Sequence, residues 1–155
     1  MTDHEPRLFA DDDAIRRVGE GLLARTLAKA EWTHEAHLAT CAWLIVERPD
    51  VVPERDLGAF IRAYNVAVGG VNDDTQGYHE TITQLFIIGV RAALARSEGQ
   101  GLAARVNAVL TSAEGRRDWP LEFYSRERLF SVEARRAWVE PDLRPLEIYS
   151  PSLRR

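Results

Sequence analysis

The sequence predicts an all-α fold, a single-domain helical bundle with an extended C-terminal segment packed across it. Three observations lead there. Apolar residues recur at three- and four-residue spacing in five successive stretches, Pro and Gly stand at the ends of those stretches, and no period-two run suggests a strand. A length of 155 residues suits one domain with a sizeable core. Residues 1–10 read as a flexible leader, and 11–155 as the helical domain.

Asp11, Asp12 and Asp13 offer an N-cap and favourable charge for a first helix, which carries Ile15, Val18, Leu22 and Leu23 on one side. Thr33 can cap a second helix that runs to about Arg48, ahead of Pro49. Its inward stripe is His34, His37/Leu38, Cys41 and Ile45. Pro53-Glu54 opens a third helix with Leu57, Phe60/Ile61, Tyr64 and Val68, ended by Gly69-Gly70.

Asn72, Asp73 and Asp74 make 71–77 a turn-rich connection. A fourth helix is expected from about Tyr78 to Arg96, with Ile82, Leu85/Phe86, Gly89 and Ala93 inward. A fifth follows Gly99 and Gly101, carrying Leu102, Val106 and Val109/Leu110. The Pro-punctuated tail holds two short helices, near 125–130 and 131–139, with Ser125 and Ser131 as N-caps. Trp119, Phe123, Phe130 and Trp138 are apolar enough to require burial, so the tail is expected to lie across the bundle.

Charge and composition remove several functions. Net charge is −4 with basic residues scattered along the chain, so no footprint for nucleic acid is present. The N-terminal stretch is acidic and has no apolar core of a signal peptide, and the longest apolar run, Leu85 to Val90, is too short to span a bilayer. A cytoplasmic protein with no membrane partner is the expectation. Lys29 is the only lysine, which leaves no P-loop, and Cys41 is the only cysteine, which rules out an internal disulfide.

Function is sought at the histidines. There are four, and three fall in two short motifs, Trp32-Thr33-His34-Glu35-Ala36-His37-Leu38 and Tyr78-His79-Glu80-Thr81. Histidine ligates metals and moves protons near neutral pH, and it is costly to bury without a partner. His34 and His37 are three apart and share a helix face. If helices two and four are adjacent, His79 can join them.

Three neutral imidazoles with one open position suit a divalent metal: zinc, iron, manganese or nickel. Glu80, Glu35, Asp73 or Asp74 would supply an oxygen ligand or an outer hydrogen bond. The spacing after His34-Glu35 excludes the zinc-protease HExxH arrangement. The alternatives to a metal site are a metal-free pocket and purely structural histidines. The pocket reading gathers Trp32, Cys41, Tyr64, Tyr78 and Thr83 around the imidazoles.

At these motifs the chain resembles a family of short helical bacterial proteins of unknown function. Its members share a Trp/Phe-x-His-x-x-His-Leu segment, a Tyr-His-Glu-Thr segment and a tail like Tyr-Ser-x-Glu-Arg-Leu-Phe-Ser, here Trp32 to Leu38, Tyr78 to Thr81 and Tyr124 to Ser131. The resemblance covers most of 31–146 and implies that the three segments belong to one construction. It brings no activity. A looser, fold-level analogy is with the DinB-like four-helix bundles that hold a metal with three histidines, whose histidine spacing this chain does not share.

The leading expectation is therefore a small metal-dependent enzyme, a hydrolase or an oxygenase, acting on a small molecule. In it His34, His37 and His79 are ligands and Glu80 is the acid–base group. The alternatives are a metal-free small-molecule binding or sensor module, and a structural or interaction protein. The residues choose no substrate, reaction or oligomeric state.

Overall fold

The computed structural model describes residues 5–146 and Tyr149. Seven α-helices and no strands occur among the described residues. They are α1 (Asp12–Ala24), α2 (His34–Glu47), α3 (Pro53–Ala67), α4 (Glu80–Ala95), α5 (Leu102–Thr111), α6 (Arg126–Leu129) and α7 (Val132–Arg136). Short 3-10 turns at Lys29–Glu31, Ala113–Gly115 and Trp119–Glu122 join them. No helix among the described residues is long and apolar enough to cross a membrane.

The helix at the centre is α2. Nine of its residues, from Glu35 to Leu44, are buried and spread around its whole circumference. A helix apolar on all sides must be surrounded, and α2 packs against α1, α3, α4 and α5. Helices two and four are thus neighbours, as the histidine motifs require. By contrast α1 is amphipathic. Its buried stripe is Ile15, Val18, Gly19 and Leu22, and the Asp11 carboxylate caps it by accepting from the Ala14 amide at 2.9 Å. Gly19 is where Trp43 of α2 lies against the α1 backbone, so closely that a Cβ there would overlap the indole.

A second apolar cluster forms at the outer side of α4. Leu85, Trp119, Phe123, Tyr124, Leu129 and Leu146 are buried together there. The Thr81 hydroxyl donates to the Ala137 carbonyl at 2.9 Å and accepts from the Val139 amide at 3.2 Å, while the Tyr124 hydroxyl donates to the Val139 carbonyl at 2.7 Å. Trp138 packs at the edge of this cluster. Phe130 does not need the burial expected of it: as the C-terminal cap of α6 it points outward and is 55% exposed. Residues 147, 148 and 150–155 of the expected C-terminal segment lie outside the described residues.

Ahead of α1, residues 7–9 are tied to the helices. The amide and carbonyl of Phe9 both bond to the Asn107 side chain, at 2.9 and 3.0 Å, and the Arg7 amide donates to Glu35 at 3.3 Å. Phe9 packs against the main core. An apolar residue flanked by two satisfied backbone groups gives this stretch a fixed place, which the sequence did not indicate.

Candidate functional site: two cavities that meet at His37

Thr33 positions His37. Its hydroxyl caps α2 by accepting from the Ala36 amide at 3.1 Å, and its carbonyl accepts a hydrogen bond from His37 Nδ1 at 2.7 Å. Because a carbonyl only accepts, Nδ1 carries the proton and Nε2 keeps a bare lone pair in the neutral ring. Nε2 has no hydrogen-bond partner among the described residues. The Trp32 indole stacks on the imidazole with ring centres 3.8 Å apart, and Trp32 in turn meets Tyr64 edge to face at 5.6 Å. Burial pushes the His37 pKa down to about 4, against the smaller upward pull of the Thr33 carbonyl.

His37 stands between two concavities. The first, about 340 Å³, lies among α2, α3 and α4. Leu38, Cys41, Leu57, Ile61, Ile82, Phe86 and Ile87 give it apolar walls, and His34, His37, Thr83 and Arg117 supply the polar atoms. The second, about 430 Å³, is framed by Lys29, Trp32, Asn65, Tyr78, His79 and the 70–77 connection. The two share His37, Ile61, Ile82 and Thr83 as walls. Volumes of this size are those of small-molecule sites.

The wall of the second cavity is well built. Asn72 Oδ1 accepts from Asn65 Nδ2 at 2.9 Å and from the Tyr78 amide at 3.0 Å. The Asp73 carboxylate closes the turn by accepting from the Thr75 and Gln76 amides. Gly77 has φ +85°, and a Cβ there would overlap the Val71 carbonyl, so only glycine fits.

The three motif histidines do not form one centre. His34 Nε2 donates to the Gly115 carbonyl at 2.8 Å, with its ring edge-on to Phe86 at 5.3 Å. His79 is not inside the first turn of α4 but caps it: Nδ1 accepts from the Ile82 amide at 3.2 Å, and Nε2 donates to the Leu129 carbonyl at 2.8 Å. Both of its nitrogens are spent within the protein, on the end of its own helix and on α6. Among the described residues, no group of three or more His, Cys, Asp or Glu side chains is placed to hold a metal ion. The donor set therefore does not fit the expected three-histidine site. The physical reason is the later start of the helix, at Glu80 rather than about Tyr78, which turns His79 back over the helix end.

The expected oxygen donors are engaged as well. Glu80 accepts from the Tyr78 hydroxyl at 2.7 Å and from Gln84 at 3.1 Å, and it lines neither cavity. Asp74 pairs with Arg136 at 2.7 Å. Glu35, buried, accepts from the Arg7 amide and lies 3.8 Å from Arg117. Burial, the largest single influence, acts to raise its pKa, but hydrogen bonds from its own amide and from that of Arg7, with the nearby charge of Arg117, hold the carboxyl below the ordinary range.

Of the expected pocket residues, Trp32, Cys41, Tyr78 and Thr83 line a cavity. Cys41 is apolar wall, since burial pushes its thiol up to about 12 and keeps it protonated. Tyr64 lines neither cavity; it is fully buried behind Trp32, with its hydroxyl donating to the Leu27 carbonyl at 2.8 Å. Tyr78 also carries the Arg62 guanidinium over its ring at 4.3 Å. Sequence reasoning missed Arg117, which reaches the first cavity from the connection after α5, and the α3 contribution of Leu57 and Ile61 to a site rather than to a closed core. No motif marks these residues.

No protein-family model, curated protein or solved structure matches this chain.

Proposed function

We propose that the protein is a metal-free binding module for a small, largely apolar molecule seated among α2, α3 and α4, with His37 as its central polar contact. One observation carries this reading. A cavity of about 340 Å³ has apolar walls on three helices, and on its margin stands a histidine whose Nδ1 is anchored and whose Nε2 is the one polar atom it has left to offer. Apolar pockets with a few converging polar groups are the usual form of a ligand site.

Binding is favoured over catalysis by the same histidine. A general base works best with a pKa near the operating pH, and His37 is held at about 4. It is a good hydrogen-bond acceptor and a weak base. The spent nitrogens of His79 and the paired oxygens of Glu80 supply no second group for a metal or for proton transfer.

The test is occupancy. 4-Propylphenol and butylbenzene, added to the full chain, should raise Tm and shift the side-chain resonances of Ile61, Ile82 and Ile87. Cys41→Phe, which fills the cavity from α2, should abolish both effects, as should Ile61→Phe, made in case the first variant does not fold. Absence of any response in the wild-type protein, or an unchanged response in folded filled variants, contradicts the reading.

A further inference from the structure

The polar atoms of the first cavity have a sign. The Thr33 carbonyl fixes the proton of His37 on Nδ1 through a 2.7 Å hydrogen bond, so the ring can only accept at Nε2. His34 spends its Nε2 proton on the Gly115 carbonyl. Arg117 is the one charged side chain on the lining, and it faces the buried Glu35 carboxylate at 3.8 Å while its own side chain is 57% exposed. Its charge is therefore answered from within the protein and screened from without. Thr83 adds a hydroxyl, which can donate or accept, and the remaining walls are aliphatic, aromatic or a protonated thiol.

We infer, resting on the binding reading above, that this cavity selects a neutral molecule with an apolar body and a hydroxyl donor that bonds to His37 Nε2, and that it discriminates against carboxylates. A hydroxyl brings the proton that the neutral imidazole lacks. A carboxylate brings only lone pairs to the His37 lone pair, must give up its hydration among apolar walls, and finds the one cation on the lining, Arg117, already facing Glu35. An ether of the same shape fits but leaves Nε2 unpaired in the cavity. Sites built around a buried polar group reject analogues that leave it unpaired more strongly than analogues that merely lack a methylene.

Three probes of one shape separate the possibilities on the wild-type protein: 4-propylphenol, 4-propylanisole and 4-propylbenzoate, titrated by calorimetry at pH 7. The expected order has the phenol tightest, the anisole weaker by about tenfold or more from the lost hydrogen bond, and the benzoate weakest. His37→Phe should bring the phenol and the anisole to equal affinity. Should phenol and anisole bind equally to the wild-type chain, the hydroxyl selection is overturned while the binding module stands. Benzoate binding tightest overturns it in favour of an acid site centred on Arg117. Failure of all three to bind removes both this inference and the reading beneath it.

Discussion

Replacing His37 with Gln takes away one titrating group and, through it, a defined part of the acid sensitivity of the fold. In the folded chain the imidazole titrates at about 4, against about 6.5 when the chain is unfolded. Above pH 6.5 both states hold it neutral, and its contribution to the pH dependence is flat. As pH falls from 6.5 towards 4 the unfolded chain takes up a proton that the folded one refuses, so stability drops through that window. The two pKa values give a loss of about 2 kcal/mol at pH 5 and about 3 kcal/mol at pH 4, relative to pH 7. Urea unfolding of both proteins at pH 7 and pH 5 measures it. His79, whose pKa is also lowered by burial, titrates in both proteins and cancels in the difference. The wild type should lose about 2 kcal/mol more than His37→Gln between the two pH values. Parallel losses would refute the half-buried, neutral His37 on which the account of the site depends.

His79→Ala removes the side-chain cap of α4 and the bond to the Leu129 carbonyl at once, so it should destabilise the metal-free protein by about 1–3 kcal/mol in urea unfolding. Stability unaffected by that change would contradict the structural role of His79. Stoichiometric Zn²⁺ should leave the Tm of the wild type and of His79→Ala equally unmoved, and a zinc-dependent rise in the wild type that His79→Ala abolishes would restore a metal centre.

The periodicity of apolar residues made the helices legible. The boundaries of α2, α3 and α5 follow from Thr33, Pro53 with Gly69-Gly70, and Gly101, because capping and chain-breaking chemistry is local. Ser125 and Ser131 act as N-caps as their hydroxyls suggest, accepting from the amides of Arg128 and Ala134. The stripe His34, His37, Leu38 and Cys41 does line one cavity, since residues three and four apart share a face.

What each imidazole does was not legible. His79 reads as a residue of the first turn, but Gly77 and Asn72 set the chain so that the helix starts just after it, at Glu80, and His79 becomes the cap. The partner of His79 lies 50 residues away at Leu129, and that of His34 81 residues away at Gly115. Both are backbone carbonyls, which leave no signature in a sequence. Arg117 likewise enters the site through a tertiary contact with Glu35. Phe130 shows the converse, an apolar residue whose exposure is decided by a four-residue helix turning it outward.

The central claim is that His37 presents a bare Nε2 to a ligand cavity while His79 spends both nitrogens on the fold. Two-bond ¹H–¹⁵N correlation spectra of ¹⁵N-histidine-labelled protein at pH 7 report the protonation of every ring nitrogen and so test it directly. The account predicts an Nδ1–H tautomer at His37 whose Nε2 resonance moves towards that of a hydrogen-bonded acceptor on adding 4-propylphenol, with the Nε2–H tautomer of His79 unmoved. A His37 ring protonated at both nitrogens, or one carrying its proton on Nε2, would contradict it.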